Sequence, residues 1–323
     1  MDYRHLRHTD LKVSRLSLGT MTFGSSTDEA TARRMVERCL DAGINFFDTA
    51  NVYNKGAAET LLGRALGDKR HRAIIATKVF GKTGEGADDS GLSRPALRKA
   101  IDQSLTRLGR DYVDVYYLHQ PDDNTPIEET LTALQELVAA GKIRYPGVSN
   151  YAAWQVAEIR ALAQKNGFKP PHLSQVMYNL LARRIEDEYL SFARRYETAV
   201  IAYNPLAGGL LTGKHRPDAA PIPGTRFDKN QMYIDRYWHE DNFVAVEELQ
   251  DMALRAGKTL VELALQWLLS QPQVDSVILG ASTVEQLEAN LKACEGKPLD
   301  EQTLGECNRV GERLRGVAPK YSR

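Results

Sequence analysis

Four polar residues of the kinds that transfer protons lie at, or shortly after, the ends of short apolar runs in the sequence. Asp48 comes directly after residues 44–47, Lys78 after residues 74–77 and His119 after residues 113–118. Tyr53 lies five residues beyond Asp48. A phenol, an ammonium, a carboxylate and an imidazole brought together form an acid relay, which can donate a proton to an oxygen that gains negative charge. Reduction of a carbonyl group requires this chemistry.

Each member of the relay has a separate expected task. Tyrosine ionises near pH ~10, so the cation of Lys78 is expected to stabilise the Tyr53 phenolate while Asp48 holds the lysine in place. His119 can donate a hydrogen bond to the substrate oxygen and orient it. Taken singly, each residue also has a structural explanation, such as a helix cap, a surface aromatic, a snorkelling lysine or a rim histidine. Only their joint position favours chemistry.

The elements that must position these residues alternate between strand-like and helical patterns. Eight strands are predicted, at residues 16–18, 45–47, 74–78, 113–118, 143–148, 173–176, 199–203 and 277–279. Helices are predicted between most of them, at residues 27–41, 94–108, 127–140, 152–165 and 260–270. This alternation predicts an α/β fold of the (β/α)₈ TIM-barrel type, in which the carboxyl ends of the strands form the active-site rim.

Segments outside the repeat complete the expected architecture. Thr9 and Asp10 predict a turn in an N-terminal β-hairpin that covers the barrel floor, and extra helices are expected at the C-terminus. Residues 1–323 are expected to form a single barrel domain with a long cofactor or substrate loop at about 204–239. That segment is rich in Gly and Pro, so a linker between two domains is the alternative; strand–helix alternation resumes after it.

Composition excludes several classes of protein. Lys plus Arg and Asp plus Glu are balanced at 42 each, which gives no reason to expect a nucleic-acid partner. No secretory signal and no apolar run of roughly 18 residues is present, so no membrane partner is predicted. Cys39, Cys294 and Cys307 are too few and too far apart for a disulfide framework or a thiolate metal site. A reducing, cytoplasmic location is expected, and no metal site is predicted.

The four candidate residues, together with the segment INFFDTA at 44–50, resemble the aldo-keto reductase family. The similarity runs from Leu11 to about Asn290 and is strongest to the branch that contains bacterial members and the potassium-channel β subunits. It implies an oxidoreductase that moves a hydride between NAD(P)(H) and a carbonyl or alcohol, such as an aldehyde, a ketone or a sugar. The family's catalytic tetrad falls on Asp48, Tyr53, Lys78 and His119, with Tyr53 as the general acid and base.

The same resemblance implies a set of cofactor-binding residues. These match positions for the nicotinamide amide (Ser149, Asn150, Gln175), the stacking aromatic (Tyr203), the pyrophosphate (Asn204, Pro205, Leu206, Gly208, Leu210, Lys214), the adenosine phosphate (Arg226) and the adenosine end (Gly280, Ser282, Gln286, Asn290).

Other nucleotide motifs fit the sequence poorly. No GxGxxG follows a strand, which leaves a Rossmann domain unsupported. Residues 208–215 approach P-loop spacing, but His215 stands where a Ser or Thr would hold magnesium, so an NTPase is rejected. NADP(H) is expected from the resemblance, and NAD(H) stays open. Gly280 and Gln286 stand where many members carry Lys and Arg, and Ala289 stands where the channel branch usually carries Glu.

Two other functions remain open at this point. The chain could be a redox-sensing regulatory subunit that keeps the fold and turns over slowly, or a Schiff-base aldolase that uses Lys78. The expected partner is a small carbonyl or alcohol substrate, and both a monomer and a homo-oligomer are compatible with the sequence. Substrate identity is expected to depend on rim loops, where the aromatics Phe80, Tyr233, Tyr237 and Trp238 either line a pocket or pack the loop.

Overall fold

Eight parallel strands form a closed barrel in the computed structural model of the chain, which describes residues 1–296 and 298–316. All eight strands predicted from the sequence are present, and each pairs with the next around the barrel. They are β3 (Leu16–Gly19), β4 (Phe46–Asp48), β5 (Ile74–Val79), β6 (Val113–Leu118), β7 (Ile143–Ser149), β8 (Leu173–Met177), β9 (Ala199–Tyr203) and β10 (Val274–Gly280). The predicted (β/α)₈ TIM barrel is confirmed.

The N-terminal hairpin consists of β1 (Tyr3–His5) and β2 (Lys12–Ser14), which pair antiparallel. Leu6, Leu11 and Val13 are buried and share an apolar cluster with Phe46 and Tyr117 from the barrel strands. The hairpin therefore contributes side chains to the barrel interior and confirms the predicted N-terminal feature.

Helices surround the barrel and follow the predicted segments closely. They are α1 (Glu29–Asp41), α2 (Ala57–Leu66), α3 (Arg94–Leu108), α4 (Ile127–Ala139), α5 (Ala153–Lys165), α6 (Tyr189–Arg195), α7 (Gln231–Tyr237), α8 (Glu240–Arg255), α9 (Leu260–Leu269), α10 (Val284–Cys294) and α11 (Glu301–Arg315). Local capping explains several of their limits. The Asp28 carboxylate accepts from the Thr31 amide at the start of α1, and Gly109, with φ 63°, ends α3 in a left-handed conformation.

The long segment after β9 is not structureless. It begins with a 3₁₀ turn at Ala207–Thr212, and it contains the short helix α7 before α8 resumes the regular packing. After the last barrel helix, α11 packs on α8 as an additional C-terminal helix. In the described part of the chain, no helix combines the length and apolar character needed to cross a bilayer.

The strand register determines which side chains meet at the rim. Asp48 is opposite Ala76 in the β4–β5 pair, and Lys78 lies two residues further along β5. Residues two apart on a strand face the same side, so Lys78 projects on the same side of the barrel wall as Ala76. In the β5–β6 pair Lys78 is opposite Tyr117, which lies two residues before His119. Neighbouring strands thus deliver the candidate residues to one arc of the rim.

Tight packing beneath the rim gives a test of the barrel wall. A Cβ added at Gly147 of β7 would lie 2.6 Å from two carbons of the Tyr117 ring, and that ring is fully buried. We expect Gly147→Ala to lower the free energy of unfolding by about 1–3 kcal/mol, measured by urea denaturation, because the overpacked wall must shift.

Gly305→Ala is the matched control, since Gly305 lies within α11 and an added Cβ there meets nothing within 4 Å. This variant is expected to be neutral or slightly stabilised, because alanine favours helix. Equal unfolding midpoints for Gly147→Ala and the wild type would contradict the close packing of Gly147 on Tyr117.

Candidate active site

The ammonium of Lys78 lies at the centre of the polar residues on the rim. Its Nζ donates to Asp48 Oδ1 at 2.5 Å, to the Thr49 carbonyl oxygen at 2.7 Å and to Tyr53 Oη at 3.5 Å. Lys78 is 0% exposed and Asp48 is 3% exposed, so the ion pair is shielded from water. Three donors meet three acceptors, which is what a buried ammonium needs to remain charged.

Tyr53 reaches this centre from a turn with unusual backbone geometry. It opens the 3₁₀ turn Tyr53–Gly56, in which Asn54 and Lys55 have φ values of 49° and 56°. The Asn54 side chain holds the turn by donating to the carbonyl oxygens of Met21 and Phe23, at 2.9 and 2.7 Å. Non-glycine residues in this left-handed region indicate strain that is typical of functional loops.

The protonation states follow from burial and from Lys78. Burial raises the pKa of Tyr53, the Lys78 cation opposes that rise and the Asp48 carboxylate adds to it, so the phenol keeps its proton near neutral pH. Burial alone would lower the pKa of Lys78, but Asp48 and Tyr53 raise it. For Asp48, burial raises the pKa while Lys78 and Gln175 favour the charged form. We assign a charged Lys78–Asp48 pair beside a neutral phenol.

His119 completes the group from the end of β6. Its ring meets the Tyr53 ring edge to face, with centroids 6.0 Å apart. Burial, together with the nearby Lys78 cation, lowers the pKa of His119 to about 3. The imidazole is therefore neutral at physiological pH, and it can donate one hydrogen bond to a substrate oxygen but cannot supply a positive charge.

Gln175 links the expected cofactor residues to the tetrad. Sequence reasoning assigned Gln175 of β8 to the nicotinamide amide alone. In the structure its Nε2 donates to Asp48 Oδ2 at 2.7 Å, so both oxygens of that carboxylate are engaged. This positioning contact was missed, because nothing in the sequence indicates that β8 reaches across the barrel to β4.

Asn150 and Tyr203 form a framework beside His119. Asn150 has φ 62°, and its Nδ2 donates to the His119 carbonyl oxygen at 2.9 Å and to Ser149 Oγ at 3.1 Å. The Tyr203 hydroxyl donates to Asn150 Oδ1 at 2.7 Å. Ser149, Asn150 and Tyr203 are thus brought together at the ends of β7 and β9, and hydrogen bonds hold their orientations.

The loop after β9 is shaped by asparagine side chains. Asn204 has φ 62°; its Oδ1 accepts from the Gly208 amide at 2.7 Å, and its Nδ2 donates to the Tyr237 hydroxyl at 2.8 Å. Asn179 donates to the Asn204 carbonyl oxygen at 2.9 Å and to the same hydroxyl at 3.0 Å. Sequence reasoning missed Asn179, although it follows β8 at the carboxyl end where functional residues are expected.

Glycines let the backbone of this loop approach a ligand closely. Gly208, Gly209 and Gly213 have φ values of 69°, 104° and 73°. A Cβ at Gly208 would lie 2.7 Å from the Tyr233 ring, so only glycine fits there. The side chain of Lys214 is exposed beside them, whereas that of Leu210 is fully buried and leaves only its backbone available. Pro205 and Leu206 lie between Asn204 and this turn.

The expected adenosine-end residues also lie together, at the end of β10 and along α10. Ser282 donates from its amide and its hydroxyl to Gln286 Oε1, both at 2.9 Å, and Asn290 Nδ2 donates to the Gly280 carbonyl oxygen at 3.2 Å. Arg226 Nη1 lies 3.4 Å from Met21 Sδ, in the segment after β3 whose Thr22 hydroxyl donates to the Ala281 carbonyl oxygen at 2.8 Å. It spans from the long loop to the segment after β3.

Most of the rim aromatics pack the loop, and Tyr233, which is 8% exposed, also meets the Phe227 ring with centroids 6.1 Å apart. Tyr237 is 1% exposed and supports the asparagines, and Trp238 packs against Phe227 with ring centroids 5.1 Å apart. Both pack the loop. His215 also belongs to this cluster, 5.0 Å from Phe227 between centroids, which gives it a packing role where a P-loop would require Ser or Thr. Phe80 remains half-buried.

Sequence comparisons relate the chain to known proteins. The sequence profile of the aldo/keto reductase family matches residues 15–312. The chain is 38% identical to an uncharacterized oxidoreductase of Bacillus subtilis, over 99% of each chain. It is 38% identical to human aldo-keto reductase family 7 member A3, over 95% of this chain and 96% of that protein. It is 39% identical to a probable voltage-gated potassium channel subunit beta of Arabidopsis thaliana, over 93% of each.

A profile match across nearly the whole chain and relatives that align over nearly all of their lengths lead to one conclusion. The chain belongs to the aldo/keto reductase family.

Proposed function

We propose that the chain is an NADP(H)-dependent reductase of small carbonyl compounds, with Tyr53 as the general acid and, in the reverse direction, the general base. One observation carries the proposal: Lys78 Nζ lies 2.5 Å from an Asp48 oxygen and 3.5 Å from the Tyr53 hydroxyl. A phenol in contact with a buried cation can give up its proton more readily than one surrounded by apolar groups.

The residues after β7, β8, β9 and β10 fit a dinucleotide. The glycine turn at 208–213 leaves backbone approach open to a pyrophosphate, and exposed Lys214 adds positive charge beside it. Tyr203, held by Asn150, offers a ring face, while Ser149 and Asn150 offer hydrogen-bonding groups for an amide. Gly280, Ser282, Gln286 and Asn290 would hold the adenosine end. When bound there, reduced nicotinamide supplies the hydride.

The chain's own residues would then supply the proton that the substrate oxygen takes up. His119, neutral because of its low pKa, donates to the substrate oxygen and orients it. Tyr53 transfers its hydroxyl proton to that oxygen as negative charge develops there. Lys78 stabilises the resulting phenolate, and Asp48, held by Gln175, keeps Lys78 charged and in place. In alcohol oxidation the same phenolate would accept the proton.

A redox-sensing regulatory subunit is the second candidate, favoured by the relatives named as potassium channel subunits beta. Such a subunit would have the same fold as an enzyme of the family but a much lower rate of turnover. Steady-state oxidation of NADPH with small aldehydes separates the two, since a sensor would show little turnover. The intact tetrad geometry supports the enzyme.

A Schiff-base aldolase is disfavoured by the environment of Lys78. A nucleophilic lysine must lose its proton, but Asp48 and Tyr53 raise the pKa of Lys78 and all three of its donors are engaged. Borohydride trapping of a carbonyl substrate on Lys78 would be the evidence needed to support an aldolase.

The role of Tyr53 has a direct test. Tyr53→Phe removes one hydroxyl, so we expect NADPH affinity to stay near that of the wild type and turnover to fall by ~10²–10⁴-fold, the loss typical of a missing general acid. Reduction is followed by NADPH absorbance with the best carbonyl from a substrate panel.

Tyr151→Phe is the matched control, because Tyr151 is a buried tyrosine whose hydroxyl has no hydrogen-bond partner among the described residues. It should keep wild-type turnover. The assignment is falsified if Tyr53→Phe, shown folded by circular dichroism and saturated with NADPH, reduces the substrate at the wild-type rate.

Cofactor preference should depend on the charges of the loop. We expect NADPH to bind about tenfold or more tightly than NADH in a fluorescence titration, since a hydrogen bond to a charged phosphate contributes roughly 1.5–3 kcal/mol. Lys214→Ala and Arg226→Ala should each weaken NADPH binding more than NADH binding. Equal dissociation constants for the two cofactors would contradict the proposed preference.

Tyr203 should contribute to cofactor affinity through stacking. Tyr203→Phe keeps the ring but loses the hydrogen bond to Asn150, whereas Tyr203→Ala loses both. We expect the alanine variant to bind NADPH more weakly than the phenylalanine variant by more than the loss of buried area, by about 0.5–1.5 kcal/mol. If both variants bind equally, the nicotinamide ring stacks on another side chain.

A further inference from the structure

A basic cleft lies on the face of the barrel opposite the tetrad. It is formed by Arg160 of α5, Arg194 and Arg195 at the end of α6, and His8 in the turn of the N-terminal hairpin. Its volume is about 700 Å³. Glu197, which also lines it, comes just before β9, so the cleft is at the amino ends of the strands. The proposed reductase chemistry uses none of these residues.

The cleft carries uncompensated positive charge. Among the described residues that line it, Glu197 alone is acidic, and that carboxylate is already engaged by Arg7 and by His8 Nε2, the latter at 2.9 Å. Within residues 1–296 and 298–316, the guanidinium groups of Arg160, Arg194 and Arg195 form no ion pair within 4.0 Å. On a chain whose total charge balances at 42 of each sign, this concentration is local.

Two of the arginines are held in position. Arg160 and Arg195 lie over the ring of Tyr196, 5.7 and 6.0 Å from its centroid, and Arg160 Nη1 donates to the Pro171 carbonyl oxygen at 3.0 Å. The negative end of the α6 helix dipole stabilises the cations of Arg194 and Arg195. The presence of these two arginines therefore does not by itself indicate a ligand. Arg160 comes from another helix, so the helix end does not account for it.

The surroundings of Arg160 favour the binding of an anion beside its guanidinium group. Burial lowers the pKa of Arg160, and no described carboxylate lies close enough to compensate. The backbone nearby is strained as well: His8 and Glu197, which pair with each other, have φ values of 61° and 51°. Partly desolvated guanidinium groups with fixed orientation bind phosphate oxygens through paired N–H donors.

We propose that this cleft binds a phosphorylated small molecule, at a site separate from the catalytic rim. Three guanidinium groups that have no carboxylate partner in the described part of the chain match the charge of a phosphate or pyrophosphate group. The cleft is widely open to solvent, and its volume of about 700 Å³ leaves room for a phosphate group and an organic part that stays partly exposed. The patch is local on a charge-balanced chain, so it lacks the extended basic surface that a polyanion would need.

The test is calorimetric titration of inorganic pyrophosphate into the full chain saturated with NADPH, so that the nucleotide site is filled. We expect one site per chain, weakened about tenfold or more by Arg160→Gln and by Arg195→Gln, because each removes charge-assisted hydrogen bonds.

Arg98→Gln is the control for net charge, since Arg98 is exposed on α3, where it pairs with Glu136. It should bind as the wild type does. Arg195 is exposed, so its variant tests the cleft even if Arg160→Gln fails to fold.

Several results would overturn the proposal. One is the absence of saturable binding up to millimolar pyrophosphate, and another is an equal loss of affinity in Arg98→Gln. A third is a titration without NADPH in which Lys214→Ala abolishes binding while Arg160→Gln keeps it, because the anion would then occupy the cofactor loop. Binding of a glutamate-rich peptide that depends on Arg160, without binding of pyrophosphate, would assign the cleft to a protein partner instead. None of these readouts depends on turnover.

Discussion

The ion pair between Lys78 and Asp48 is the constraint on which the rest of the site depends. A fully buried ammonium is costly, and removing one partner of such a pair leaves an uncompensated charge, typically at about 3–5 kcal/mol. Here each donor of Lys78 has an acceptor, and each oxygen of Asp48 has a donor. The lysine can therefore remain charged while it contacts the Tyr53 hydroxyl.

This pair also links the proton-donating side of the site to the side expected to hold the cofactor. Asp48 belongs to β4, Lys78 to β5 and Gln175 to β8, so the pair ties the wall that carries Tyr53 to the wall that faces the expected nicotinamide. The loops on that second wall are then set by Asn150 and Asn204, both with left-handed φ and both hydrogen-bonded through their side chains. A change in cofactor contacts that moved Gln175 would alter the position of Asp48 through the single hydrogen bond between them.

Much of this was predictable from the sequence because strand periodicity and the polar residue after each apolar run are local signals. They placed Asp48, Lys78 and His119 on neighbouring strands and identified all eight strands. Contacts across the barrel are not local, so the link from Gln175 to Asp48 and the support of Asn204 by Asn179 could not be read from spacing. The location of Arg226 near Met21 depends on the path of a 36-residue segment, 204–239, whose irregular backbone has no period to read.

The central claim is that the Lys78 cation makes the Tyr53 phenol a better proton donor, against the effect of burial. The most direct measurement is the titration of Tyr53 by NMR in chains labelled with ¹³Cζ-tyrosine, using Tyr53→Phe to assign the resonance. Because the Lys78 cation lowers the pKa of Tyr53, Lys78→Met should move the ionisation of Tyr53 to higher pH than in the wild type. An unchanged or lower pKa in Lys78→Met would contradict the account.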